Sequence, residues 1–168
     1  NGNGLWTLVS GQAEFADSSQ AQTSVRNMLP GLYTLVWTVS SGVCTPETDS
    51  MNVTVQARPT PPQAGADQTI CADTLVLGAN TPANGIGTWS LVSGNATFDD
   101  SLNAATTVRG MLPGTTILRW TIRNGVCPPL SDELSIVRDS LPGAADAGDD
   151  QQVCADTVRL SANLPIAG

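Results

Sequence analysis

The sequence predicts an all-β protein made of tandem Ig-like β-sandwich repeats of about 83 residues, each stapled by a disulfide bond. Three observations predict this architecture. Short alternating apolar segments are separated by turn residues at intervals of roughly 8 to 12 positions, a spacing typical of sandwiches. The chain aligns with itself at one fixed offset, and its four cysteines recur at equivalent positions of that repeat. No segment shows a sustained helical period, so no helix is expected.

An internal repeat sets the predicted domain organisation. Trp89 lies 83 positions after Trp6, Trp120 lies 83 positions after Trp37, and about half of the positions aligned by this shift are identical. Two proline-containing stretches read as linkers between repeats. The predicted domains are the later strands of a preceding repeat at 1–58, a complete repeat at 59–141 and the first strands of a following repeat at 142–168.

The complete repeat contains seven predicted strands, each justified by local pattern. Alternation is clearest at 117–122, where Leu118, Trp120 and Ile122 share one face, and Asn124-Gly125 is a hairpin signal. The seven strands are predicted at 67–71, 74–77, 88–92, 96–98, 106–108, 117–122 and 133–138.

Aromatic side chains offer two interpretations, a core and a sugar-binding platform. The tryptophans lie centrally in strands in both copies, which favours the core. Tyr33 has Thr116 as its equivalent, and strand packing or a tyrosine corner is favoured there over binding.

The cysteines predict a staple and an oxidising compartment. Cys71 ends the first strand of its repeat and Cys127 begins the last, and the first strand of such a sandwich commonly runs parallel beside the last. Expecting the end of one strand near the start of the other, we predict a Cys71–Cys127 bond, with Cys44 and Cys154 pairing outside the chain. A Cys44–Cys71 bond is disfavoured because those residues would be about a domain length apart. The alternative is buried free thiols in a cytosolic protein.

Charge excludes several classes of function. The net charge is −8, all seven basic residues are arginine, and the chain contains neither lysine nor histidine. No basic cluster is available for nucleic acid, and without histidine no Ser-His-Asp or Cys-His nucleophile and no histidine-ligated zinc site can form. No apolar run approaches the roughly 20 residues of a membrane helix. No catalytic set of side chains emerges, so the chain is not expected to be an enzyme.

Several motifs resemble one repeat family. Ala64-Gly65-Ala66-Asp67-Gln68-Thr69-Ile70-Cys71, Gly85-Ile86-Gly87-Thr88-Trp89, Leu118-Arg119-Trp120-Thr121 and Gly125-Val126-Cys127 are similar to motifs of the Ig-like/PKD-like repeats in giant cell-surface adhesins of Bacteroidota, of the SprB gliding-motility type. The resemblance implies type IX secretion, a cell-surface location, and neighbouring repeats, surface polysaccharide or other cell-surface components as partners.

Five Asp-Ser/Thr-aliphatic or Asp-Ser-Met triplets are similar to an O-glycosylation acceptor of the same bacteria. The alternative is that aspartate followed by serine or threonine simply forms hydrogen-bonded turns. The candidate acceptors are Ser50, Thr74, Ser101, Ser140 and Thr157.

Acidic residues near the second linker are candidate ligands of calcium. Asp146, Asp149 and Asp150 supply the carboxylates that Ca²⁺ prefers, but their spacing matches no known calcium loop. Solvated turn carboxylates are therefore favoured, and no cofactor is expected.

The predicted function is that of a structural and adhesive repeat segment in a long extracellular filament or stalk, with gliding motility as one setting. The alternatives are a calcium-dependent or glycan-binding lectin-like module and an accessory domain of a secreted enzyme. We expect a segment of a longer mature protein, since no signal-peptide pattern opens the chain. Its out-of-phase ends would complete neighbouring repeats in the same chain or between molecules.

Overall fold

The structure is a computed structural model that describes residues 2–154 and 156–165. Over these residues it contains twelve β-strands and no helix, which confirms the all-β prediction. The strands are β1 (Asn3–Ser10), β2 (Glu14–Phe15), β3 (Val25–Arg26), β4 (Gly31–Ser40), β5 (Glu47–Val55), β6 (Gln68–Ile70), β7 (Leu75–Val76), β8 (Ile86–Ser93), β9 (Thr97–Phe98), β10 (Thr107–Arg109), β11 (Gly114–Arg123) and β12 (Leu130–Arg138). Strands β6 to β12 overlap the seven predicted ones, with ends that differ by up to three residues.

The chain forms two compact units, and each is described by itself. The first comprises Asn1–Thr60 together with Arg123–Pro129, and the second comprises Pro61–Ile122 together with Leu130–Gly168. The repeat boundaries predicted from the sequence stay a prediction, as does the repeat length.

The second unit contains two sheets that share one core. A four-stranded sheet has the order β6-β12-β11-β8, and a three-stranded sheet has the order β7-β10-β9. Buried side chains from both sheets form a single cluster, because alternate residues of each strand point to the same side. Strand β6 runs parallel to β12, so the expected parallel pairing of first and last strands is confirmed.

The tryptophans of the second unit lie at the centre of this core. Trp89 and Trp120 are 2% and 1% exposed, and their ring centroids are 5.1 Å apart. Gly87 on β8 leaves room for the Trp120 ring, because a Cβ at this position would overlap it. The core interpretation of these tryptophans is thus confirmed.

The first unit repeats part of this arrangement. It has a three-stranded sheet β1-β4-β5 and a two-stranded sheet β2-β3. The pair Trp6 and Trp37 has the same 5.1 Å centroid separation, but both rings are only half-buried. Tyr33 is buried, and its hydroxyl donates to the Leu29 carbonyl at 2.7 Å, so it is a packing residue as predicted.

A buried backbone amide of the second unit is satisfied by a carboxylate. Ala64, which has no exposed surface, donates its N–H to Asp132 Oδ2 at 2.7 Å. The Asp132→Ala variant leaves that N–H without a partner, and we expect it to lower the free energy of unfolding by about 2 kcal/mol. Urea denaturation monitored by circular dichroism measures the loss.

Asp49 is the matched control for this change. It lies 83 positions before Asp132, and its Oδ1 accepts only from the N–H of the adjacent, exposed Ser50. Asp49→Ala should therefore change the stability of the free chain by less than about 0.5 kcal/mol. Equal losses in the two variants would contradict the assignment.

Candidate functional site

The four cysteines are free thiols in the structure. Cys44, Cys71 and Cys154 are exposed, and Cys127 is half-buried. Cys127 belongs to the first unit, where its Sγ lies 3.5 Å from the carbonyl oxygen of Ala57 and 3.8 Å from that of Gln56.

The strand register removes the geometric basis of the Cys71–Cys127 prediction. Because β6 and β12 are parallel, Ile70 pairs with Arg138 at the end of β12, and Arg138 Nε donates to the Cys71 carbonyl at 3.5 Å. Cys127 instead precedes Leu130, at the start of β12, and the two ends of this nine-residue strand are about 26 Å apart. The three peptide units from Cys127 to Leu130 span at most roughly 11 Å.

The expectation that the end of β6 lies near the start of β12 was therefore wrong. Parallel neighbours bring like ends together, so Cys71 lies beside the end of β12. This register gives no support to a Cys71–Cys127 disulfide, which stays a prediction.

The glycosylation candidates occupy three kinds of environment. Ser50 is exposed on β5, and Thr157 is exposed outside the strands. The other three, Thr74, Ser101 and Ser140, are half-buried. Asp100 forms a turn in which its Oδ1 accepts from the Leu102 N–H at 2.9 Å, so at Ser101 the turn interpretation has direct support.

The calcium candidates do not form a cluster of ligands. Asp146 Oδ1 accepts from the Gly148 N–H at 2.9 Å, which makes it a turn residue. Among the described residues no group of three or more acidic, cysteine or histidine side chains is arranged to hold a metal. Asp67 lies just before β6, and its Oδ1 accepts from the N–H of Ser135 in β12 at 2.9 Å. It therefore joins the two strands.

The first unit has an apolar groove, which we call the tryptophan groove. It has a volume of about 210 Å³. The groove is lined by Thr23 and by six apolar residues, Trp6, Phe15, Ala21, Val25, Leu35 and Met51. All six apolar residues have equivalents 83 positions later that belong to the core of the second unit or to its partly buried margin. Sequence reasoning had not named these six residues together as a site.

Electrostatic features of the surface are few. Arg109 donates to Asp99 from Nε at 2.7 Å and from a second guanidinium nitrogen at 2.9 Å, and these hydrogen bonds hold the pKa of Asp99 below its usual value. The pKa of Asp17 is lowered by hydrogen bonds from the Ser19 hydroxyl and N–H.

Asp99 predicts a weak acid dependence of stability. A carboxylate with a depressed pKa in the folded state stabilises it above about pH 4 and loses that contribution as the pH falls through the folded pKa. We expect Asp99→Asn to have almost the same melting temperature as the parent at pH 7, because the pair is exposed. Between pH 4 and 2 its melting temperature should fall less steeply, and identical slopes would contradict the prediction.

No helix in the described part of the chain combines the length and apolar character needed to cross a membrane.

No protein-family model matches the chain, and no curated protein sequence matches it. Similar solved structures include human CDH23 EC21-23 (14% identity, TM-score 0.45), protocadherin gamma B2 cadherin domains 3-6 (9%, 0.39) and the human desmocollin-1 ectodomain (10%, 0.34).

These structures cover 95%, 90% and 91% of this chain. The chain in turn spans 68%, 44% and 36% of theirs. The all-β assignment rests on the strands themselves.

Proposed function

We propose that the chain is a structural, Ig-like repeat segment of a long extracellular cell-surface filament or stalk, in which tension passes from repeat to repeat. The observation that carries the proposal is the parallel pairing of β6 with β12. The chain enters the second unit ahead of β6 and leaves the strands of that unit at the end of β12.

Tension applied through these two strands loads their hydrogen bonds in shear. Because the strands are parallel, pulling on the start of β6 and the end of β12 slides one along the other, and the bonds must break together. Two flanking bonds lengthen this clamp: Ser135 N–H donates to Asp67 Oδ1 at 2.9 Å, and Asp139 N–H donates to the Ile70 carbonyl at 2.9 Å. A hairpin pulled apart from one end would instead lose its bonds one by one.

The surface chemistry supports the role of a spacer segment that adjoins adhesive repeats. Charged residues make up 13% of the chain, about half the share of an ordinary soluble domain, and no described acidic cluster points to a metal-dependent role. In this proposal the partners are adjoining repeats and cell-surface components such as polysaccharide, and the compartment is extracellular.

Single-molecule stretching tests the proposed role. With handles at the two ends of the chain, unfolding of the second unit should appear as a length increment of about 28 nm, from roughly 80 residues of extended chain. The Asp67→Ala variant should lower the unfolding force without changing the increment, because it removes one bond of the clamp. Asp150→Ala, at the equivalent exposed position, is the control. Equal forces in all three proteins would refute the shear clamp.

We also propose that Ser50 and Thr157 are glycan acceptors in the native organism. Both are exposed, which leaves room for a bulky sugar, and both follow an aspartate. Intact-mass measurement of natively produced protein should show hexose-containing increments that disappear in Ser50→Ala/Thr157→Ala. An unmodified mass would overturn this assignment.

A further inference from the structure

At one end of the second unit the chain crosses twice between the two sheets. Residues 71–74 lead from β6 in the four-stranded sheet to β7 in the three-stranded sheet, and residues 110–113 lead back from β10 to β11. We call these two segments the crossings. The Met111 N–H donates to the Asp73 carbonyl at 3.2 Å, so the two crossings contact each other.

The last residue of β12, Arg138, lies at the same end of the unit. It pairs with Ile70 of β6 and with Gly114 of β11, which flank the two crossings. Leu134 and Ile136 of β12 are buried, and alternate residues of a strand point to the same side. The Arg138 side chain therefore leaves the sheet on its core-facing side, where it is half-buried.

The guanidinium of Arg138 binds main-chain oxygens of both crossings. Its Nη1 donates to the Met111 carbonyl at 2.5 Å, and its Nε donates to the Cys71 carbonyl at 3.5 Å. Met111 is 1% exposed and belongs to the core. The two ion pairs among the described residues involve other arginines, so a change at Arg138 separates no pair of opposite charges.

We propose that the bonds from Arg138 to the Met111 and Cys71 carbonyls form a latch, which transmits tension from the end of β12 to both sheets. The inference rests on the proposed mechanical function. Strand bonds alone connect the end of β12 to its own sheet, whereas the latch also connects it to the buried Met111 and so to the three-stranded sheet. Because the donor is charged, these bonds are stronger than bonds between neutral groups.

The internal repeat supplies a variant without the latch and a matched control. The equivalent of Arg138 in the first unit is Val55, which lies in β5, so Arg138→Val introduces a residue that the same strand of the other copy contains. Arg119 is likewise replaced by valine, Val36, in the first unit. Arg119 pairs with Glu133 in an exposed ion pair within one sheet, so Arg119→Val removes an arginine without affecting the latch.

Stretching at constant force from two pairs of attachment points tests the latch. In full chains whose native cysteines are replaced by serine, handles are attached through Ala66→Cys and Leu141→Cys, at exposed positions before β6 and after β12. In this direction Arg138→Val should unfold the second unit about tenfold faster than the parent, because bonds from a charged donor are lost. Arg119→Val should be faster by about twofold or less, because its ion pair is exposed.

A second pulling direction does not load the end of β12. Handles at Ala66→Cys and Ser131→Cys pull on the starts of β6 and β12, so these parallel strands separate progressively from one end. The Arg138 bonds are then still intact at the barrier, and Arg138→Val should change the unfolding rate by less than about threefold. A residue that merely stabilises the fold would accelerate unfolding equally in both directions.

The outcomes separate the latch from the mechanical function itself. The latch is overturned if Arg138→Val and Arg119→Val unfold equally fast, or if Arg138→Val has the same effect in both directions. The mechanical function fails if the parent resists both directions equally. Hydrogen exchange without load tests the latch independently: Arg138→Val should speed exchange of the amides at 110–113 about tenfold and leave the centre of β11 unchanged. Unchanged exchange at 110–113 would also overturn the latch.

Discussion

Trp120→Ala is expected to lower the free energy of unfolding of the second unit by about 4 kcal/mol. The side chain is 1% exposed, packs against Trp89 at 5.1 Å and lies among the buried aliphatic residues of β11 and β12, so its removal leaves a large cavity. Hydrogen exchange followed by mass spectrometry measures the loss locally, as faster exchange of the amides in β8, β11 and β12.

Trp37→Ala is the matched variant in the first unit. Its ring has the same partner geometry, but it is half-buried, so less contact is lost. We expect a cost of about 1 to 2 kcal/mol, seen as faster exchange in β1, β4 and β5. Equal costs at the two positions would contradict the assignment of these costs to burial.

Gly87→Ala is expected to destabilise the second unit by about 3 kcal/mol, at the upper end of the cost of overpacking. The added Cβ overlaps the Trp120 ring, which is enclosed on all sides and has no free space into which to move. Alanine normally stabilises a strand position relative to glycine, so a loss of this size is diagnostic of the contact. Urea denaturation monitored by circular dichroism measures it.

Gly78→Ala serves as the control for this change. A Cβ at Gly78 meets no atom within 4 Å, so the substitution should be neutral or stabilise by up to about 1 kcal/mol. The double variant Gly87→Ala/Trp120→Phe should recover part of the loss, since the smaller ring vacates the overlapping space. Failure of this rescue would show that Gly87 is needed for another reason.

The strand pattern could be predicted because it depends on local signals. Leu118, Trp120 and Ile122 alternate with polar residues, and all three are buried on one face of β11. The turn at Leu112-Pro113-Gly114 could also be predicted from its residues. In the structure Gly114 has a φ of 114°, a value that favours glycine. These features need no knowledge of the rest of the chain.

Long-range relations were predicted less well. The parallel pairing of the first and last strands was predicted correctly. The end of the sandwich at which Cys71 lies was not, because it depends on strand direction. Like ends of parallel strands lie together, so Cys71 lies beside the end of β12. The tryptophan groove could not be predicted from local sequence patterns, because its residues are identical or similar to residues that are buried in the second unit. What distinguishes Met51 from Leu134 is the neighbour that covers it, and no property of the strand itself shows that.

The central claim is that the parallel pairing of β6 with β12 lets the second unit carry tension along the chain. Single-molecule stretching by the two chain ends tests it most directly. We predict that Asp67→Ala, which removes the bond from the Ser135 N–H, lowers the unfolding force of the second unit, whereas Asp150→Ala leaves that force unchanged. Equal unfolding forces in the parent and in both variants would contradict the account.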